Sequence, residues 1–425
     1  MVSPNIEKVG KPENILLALA GFATLMPPAF QGVTMGLLLL RLIGTRAWQE
    51  YPFTPEGRTI LRPLLRGVLI LLLLTLISLV AGIVVHGDDA LGTLWAGAHL
   101  LAKQGVYGPL MIFFLFASRR RGWDPGAVLN PWIWFLVALF LYCLVQRYTG
   151  LDLVHGWGAV LPPNRFDFGV YRVSGFMGHP LSLGYNAVMV CLVSWTLALA
   201  SARGSVLRRK WSILFVLSFL ILVLSSSRWP LAVLAIVLCA DTVRRFRNPL
   251  ILVPVVLLLA GAVFSSANLK GRFADFVNSD RKIEERLPRV VFWKVHTTMV
   301  ADHPWVGIGY GNRNSALLDY YSRSGYTNYE RKYSAHNIYL QTLADSGVIG
   351  FGGLIAFLTG CWIFARRFDR SGDHGGMRAF MAAALLAGLM QNTLRDSEYL
   401  YAFWFLQAFS LSWSWPVKDQ ANGTQ

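Results

Sequence analysis

The sequence predicts an all-α polytopic membrane protein of about twelve transmembrane helices, with one large loop between helices 9 and 10. Three observations predict it. Of 425 residues, 54% are apolar and only 15% charged, and the mean hydropathy is +0.46. Uncharged runs such as 68–85 and 249–267 approach the roughly 20 residues that span hydrocarbon. Lys and Arg gather in alternate loops between such runs. This composition excludes a soluble multidomain chain, a disordered chain, a coiled coil and a secreted disulfide scaffold. Cys143, Cys191, Cys239 and Cys361 all stand inside apolar runs and carry no metal-ligand spacing.

Taken in order, the spans fall at 14–27, 30–45, 67–86, 94–117, 131–148, 180–200, 211–226, 229–243, 249–266, 347–365, 377–394 and 399–415. The first follows Lys8 and Lys11 and is read as a retained span, not a signal peptide. An even count places both termini on one side. One set of alternate loops carries Arg46, Arg58, Arg62 and Arg66, then Arg119 to Arg121, then Arg203, Arg208, Arg209 and Lys210. It continues with Arg244, Arg245 and Arg247, and with Arg366, Arg367, Arg370 and Arg378. By the positive-inside rule that set is cytoplasmic, so the net charge of +16 reflects topology and not nucleic-acid binding. The opposite loops face outward: the Pro27-Pro28 turn, 86–89, 149–179, the tight turn at Arg228, 267–346 and 395–398.

The chain therefore divides into 1–266 (helices 1–9, with an outer loop at 149–179), 267–346 (the large outer loop) and 347–425 (helices 10–12 and a tail). Long loops are uncommon unless functional, which makes 267–346 the expected seat of chemistry. Pro288 opens one helix there, ending before Pro304. A second is expected to begin at Ser334 as N-cap and to run through His336, Leu340 and Leu343 towards Gly347.

Within Leu224-Ser225-Ser226-Ser227-Arg228-Trp229-Pro230, Arg228 is a cation at a costly membrane boundary. It either snorkels to lipid headgroups or, with the serines and free N–H groups of the following helix start, holds a phosphate. Arg289, Trp293 and His296 share a helix face, basic and aromatic, which is either a ligand surface or ordinary solvated surface beside Arg281, Lys282, Glu284, Glu285 and Arg286. Gly307, Gly309 and Gly311 follow no strand, so a dinucleotide fingerprint fails on context, and they point to close backbone packing or a turn ahead of a phosphate contact. His336, placed in the first turn of the expected helix, sits where the helix dipole disfavours imidazolium, which suits a general base and also a satisfied core histidine. Asp345, nine residues on and on the opposite side of that helix, reads as a cap or a surface charge. Arg172 is a phosphate contact or a loop charge. On the outer side the only close acidic pair with alternate spacing is Asp396 and Glu398, beside Arg395, which favours arginines over a metal for neutralising a diphosphate.

Together, Ser225-Ser226-Ser227-Arg228, Arg289 with Trp293, His303-Pro304 before the glycines, and His336-Asn337 with Leu340-Gln341 and Gly347 resemble the O-antigen ligase and polymerase family of bacterial envelopes. The resemblance covers residues 210–365; the first half matches as a set of spans. It implies a GT-C-like glycosyltransferase of the Gram-negative inner membrane, with its active site facing the periplasm and both termini cytoplasmic. It implies transfer of a glycan from undecaprenyl diphosphate to a sugar hydroxyl of lipid A-core, inverting, without cofactor or metal. His336 is then the general base, and Arg228 and Arg289 stabilise the diphosphate. Arg172, Ser227, Trp293, Asn337, Arg395 and Asp396 are the implied substrate contacts, and membrane lipids are further partners. The family's acidic position is normally Glu where this chain has Asp345. An O-antigen polymerase or a protein O-oligosaccharide ligase of the same superfamily shares the donor. From another class, a small-anion transporter with Arg228 as its binding charge predicts broken, polar mid-membrane helices, which the apolar runs do not show.

Overall fold

The computed structural model describes residues 11–45, 55–85, 125–154, 159–167, 169–246, 287–309, 313–327, 333–371 and 376–414, with residue 284 and a few positions between 95 and 112. The expected ninth span at 249–266, most of the fourth at 94–117, Arg119 to Arg121, Arg281, Lys282 and Gly311 lie outside the described residues. Within them the chain is mostly helical, as an all-α membrane protein requires. In chain order the helices are α1 (Lys11–Ala23), α2 (Pro28–Gly44), α3 (Pro55–Val85), α4 (Pro125–Thr149), α5 (Pro180–Ala200) and α6 (Val206–Leu224). They continue as α7 (Arg228–Phe246), α8 (Pro288–Asp302), α9 (Arg313–Arg323), α10 (Ile338–Ser371), α11 (Met377–Gly388) and α12 (Ser397–Ser414).

Proline opens α2, α3, α4, α5 and α8, where its fixed φ fits the first turn and its missing N–H costs nothing. Four helices are long and apolar enough to cross a membrane, namely Leu61–Ala81, Val128–Thr149, Pro180–Ala200 and Ile338–Asp369; Pro12–Ala23, Pro28–Gly44 and Met377–Gly388 are shorter apolar helices. On α2 and α3, Leu40, Leu69 and Leu73 are each more than half exposed, which is tolerable for such side chains in contact with lipid tails. The interior belongs to α5 and α12. Every residue from Glu398 to Phe409 is buried. Trp132 of α4 packs edge-on against Trp211 of α6 and against Phe405 and Phe409 of α12, with ring centroids 5.9–6.4 Å apart. Hydrocarbon offers little hydrophobic gain between helices, so interlocking contacts of this kind hold a bundle together.

Three details differ from the sequence-based expectation. The segment 149–179 is not wholly irregular: Leu151–Asp152 pairs antiparallel with Ala159–Val160, and Phe166–Asp167 with Val170–Tyr171. The eleventh span ends at Gly388, not 394, and residues 389–396 form a turn. The loop helix and the tenth span are one element, α10, broken at Gly347.

That break explains the Gly-rich motif. Gly347 has φ 60° and ψ −166°, a conformation open essentially to glycine alone. The turn after α8 fits into the break: Val348 N donates to Pro304 O at 2.9 Å, Ile349 N to Trp305 O at 3.2 Å, and Ile308 N to Ala344 O at 3.1 Å. A β-carbon on Gly347 would lie 2.2 Å from the Trp305 backbone, and one on Gly307 2.4 Å from Asp345 and Ser346 backbone atoms. Gly347→Ala is therefore expected to destabilise the protein by at least about 2 kcal/mol, through strain and overlap together. Thermal unfolding in detergent checks it; an unchanged melting temperature refutes the account.

Candidate active site

Helix direction sorts the charged residues to two ends of the bundle. At one end Glu13 pairs with Arg41, Asp241 with Arg244 and Arg245 at 2.6 Å each, and Asp369 with Arg378 at 2.7 Å. Arg367 bonds to Thr59 O there, and Trp195 to Asp241. Arg203, Arg208, Arg209, Lys210 and Arg366 belong to the same helix ends, so the described part of the basic loop set is gathered on one side. At the other end the starts of α5, α7, α10 and α12 meet the turn 389–396.

His336 stands one residue before the cap of α10, not in its first turn. Asn337 is the cap: its Oδ1 accepts from Tyr339 N at 3.0 Å and Leu340 N at 3.1 Å, which corrects the assignment of Ser334. His336 has φ 47° and Ser226 φ 51°, and these are the only non-glycine residues with positive φ among the described residues. Strain of this kind, on the order of 1–3 kcal/mol each, concentrates where function dictates geometry. Ser226 is two residues from Arg228; His336 is the expected base. Its Nδ1 lies 3.0 Å from Gln391 Oε1. An amide oxygen only accepts, so this contact calls for the proton on Nδ1, and in the neutral ring the proton-accepting nitrogen is then Nε2. The preceding residue is fixed from both sides: Trp293 Nε1 donates to Ala335 O at 2.9 Å, and Ala335 N donates to Gln341 Oε1 at 2.8 Å.

Arg289, in the first turn of α8, donates through Nη1 to Met390 O at 2.9 Å, one residue from the partner of His336. Burial lowers its pKa and the Tyr185 phenol partly offsets that; a guanidinium remains charged regardless. His179, the N-cap of α5, accepts from Leu181 N at 3.1 Å. It reaches solvent, yet enough protein surrounds it that burial is the main cause pushing its pKa down to about 4, followed by Arg172, Arg165, His336 and Arg289. Those four groups thus converge on one neutral imidazole. Arg165 also ties the loop down, donating to Ser174 Oγ at 2.9 Å and Gly178 O at 2.7 Å.

Arg228 opens α7 and is exposed. The serines before it do not share its surface: Ser227 Oγ donates to Pro180 O at 3.1 Å, Ser225 Oγ to Leu222 O at 2.7 Å, and Ser226 Oγ accepts from Arg147 at 3.1 Å. All three are buried, so the expectation that their hydroxyls reach a phosphate is corrected. They brace the turn that presents Arg228, next to the residue that follows His179. His296 is likewise fully buried, with Nδ1 2.7 Å from Phe292 O, and does not extend the face of Arg289 and Trp293.

Asp345 is neither a cap nor a surface charge. It is 3% exposed, pairs with Arg395, and accepts from Gln341 Nε2 at 2.9 Å. Asn392 Nδ2 bonds to the same glutamine at 3.4 Å. Asp396 accepts from Ser182 Oγ at 2.8 Å and Glu398 N at 3.0 Å, while Glu398 Oε1 accepts from Gly178 N at 3.1 Å. Of the expected substrate contacts, then, Trp293, Asn337, Ser227, Arg395 and Asp396 each hold the fold in place around the site. Arg172, like Arg289 and His336, stands close enough to His179 to act on its charge. Gln391, His179, Arg165 and Arg147 were not singled out from the sequence. Arg147 carried a signal, an ionisable residue inside an apolar run; it is 8% exposed and donates to Leu224 O at 3.3 Å.

The arrangement can hold an anion between guanidinium groups and offer a proton acceptor beside it. Residues 213–355, about a third of the chain, match the family model described as O-antigen ligase, a span that includes Arg228, Arg289, Trp293, His336 and Asn337. None of the curated proteins matches the chain.

Proposed function

From the O-antigen ligase family assignment that this match supports, which brings with it a bacterial membrane enzyme of ligase or polymerase type, we propose that the chain is an O-antigen ligase. It transfers a glycan from undecaprenyl diphosphate to a sugar hydroxyl of lipid A-core, with inversion, at the periplasmic face of the Gram-negative inner membrane. The observation that carries the reading is the contact of His336 Nδ1 with Gln391 Oε1, made by the same turn whose Met390 O holds Arg289.

In this reading Nε2 of His336 takes the proton of the acceptor hydroxyl as its oxygen attacks the anomeric carbon. The bond from that carbon to the diphosphate breaks on the opposite face, and its electron pair leaves with the lipid diphosphate. Arg289, Arg228 and Arg172 stabilise the charge that builds there. The neutral state of His179 leaves its other nitrogen as a hydrogen-bond donor beside the same anion. Asp345, Asp396 and Glu398 are each bonded within the fold, and in this reading arginines, not a metal ion, neutralise the diphosphate. The gathering of Lys and Arg at the opposite end supports a cytoplasmic side there and a periplasmic site here.

The test is reconstitution of the purified protein with a lipid-linked glycan. Arg289→Ala and Arg228→Ala are expected to lower kcat/KM for the donor on the order of 100-fold; unchanged values for both would sink the assignment of the arginines. Supplying lipid A-core, a second lipid-linked glycan or a Ser/Thr-bearing peptide names the acceptor, and product with either of the last two alone overturns the ligase reading. Activity in excess chelator is expected to be unchanged.

A further inference from the structure

We propose that Gln391 is the positioning residue of the general base: it fixes the ring and tautomer of His336 without adding negative charge to the pocket. The inference rests on the reading of His336 as base and extends it to a residue beyond the matched span. Three observations carry it. The Nδ1 to Oε1 distance of 3.0 Å gives His336 a hydrogen bond that selects the proton-accepting Nε2. The histidine lies outside the regular helix, at φ 47°, so helix geometry does not orient it. And Gln391 is itself immobilised: Met390 O on one side accepts from Arg289, Asn392 on the other bonds to Gln341, and Arg395 N and Asp396 N both donate to Asn392 O at 3.0 Å.

The choice of amide over carboxylate has a physical reason. A carboxylate at this position would orient the ring equally well and would stabilise imidazolium more. It would also cancel part of the positive field of Arg289 and Arg172, which the diphosphate of the donor needs. A glutamine separates the two tasks.

The test uses the full-length protein in the reconstituted assay, with Gln391→Ala and Gln391→Glu read for kcat, donor KM and pH profile. Gln391→Ala is expected to lower kcat about tenfold or more, within the contribution of a well-placed base, with donor KM little changed. Gln391→Glu is expected to retain most of kcat at high pH, to move the acidic limb of the profile to higher pH because the carboxylate raises the imidazole pKa, and to raise donor KM. A wild-type kcat for Gln391→Ala overturns the proposal. So does an acidic limb that stays in place in Gln391→Glu, because a purely structural role would lower activity without moving it. Should Gln391→Ala fail to fold, the pH profile of Gln391→Glu decides alone. Loss of activity in His336→Asn together with indifference at Gln391 would remove this inference and leave the base assignment standing, whereas an active His336→Asn would remove the base assignment first.

Discussion

His336→Asn is expected to reduce glycan transfer by about 100- to 10,000-fold, the range a positioned general base contributes, while leaving donor binding near that of the unmutated protein. Asparagine is the informative replacement because it tolerates the left-handed backbone that His336 adopts at φ 47° and offers no titratable nitrogen. Alanine at the same place would mix loss of the base with added backbone strain. In the proposed role Nε2 acts only as the acceptor hydroxyl gives up its proton, so its removal is expected to fall on kcat and not on donor KM. In the proposed roles Arg289 and Arg228 meet the donor before and during the reaction, so their removal is expected to reach both. Transfer by His336→Asn at more than a tenth of the normal rate would leave the site without a base. The expected separation of the histidine from the arginines is thus itself a check on how the roles are divided.

How much of this was legible in the sequence depends on whether a residue's signal was local. Arg289 and Trp293 were readable because Pro288 marks the helix start and 3.6-residue spacing then fixes their face. The glycines before α9 were readable as close-packing residues, and Gly307 and Gly347 do approach foreign backbone. His336 was identified with the right neighbours but the wrong backbone: Ser334 and Asn337 are both good caps, and only the hydrogen bonds to Tyr339 N and Leu340 N choose between them. Gln391 was hidden because it directly follows the apolar run 379–390, which reads as a membrane span carried through to 394. The partner of Asp345 was illegible for another reason. Arg395 lies 50 residues away, and an ion pair that closes over such a distance leaves no periodic trace. The serines before Arg228 were misread because a hydroxyl beside an arginine looks the same in sequence whether it faces a ligand or the neighbouring helix.

That same ion pair carries the largest expected effect on stability. Arg395→Ala leaves the Asp345 carboxylate 3% exposed and without its cation, and removing one partner of a buried pair costs about 3–5 kcal/mol. The melting temperature in detergent is expected to fall by on the order of 5 °C or more. Activity should fall as well, because Arg395, through Asp345 and Gln341, clamps the turn 389–396 to α10, and the turn carries both Met390 O against Arg289 and Gln391 against His336. Asp345→Ala strands the guanidinium instead, a lesser penalty since Arg395 is the more exposed of the two. The double variant removes both charges and is expected to be more stable than Arg395→Ala alone, the signature of a coupled pair. Additive losses in that cycle would mean that the two residues contribute independently, and the turn would then have to be held by its other bonds. Recovery of stability without recovery of kcat in the double variant would be the most telling result, since it separates holding the fold from holding the histidine.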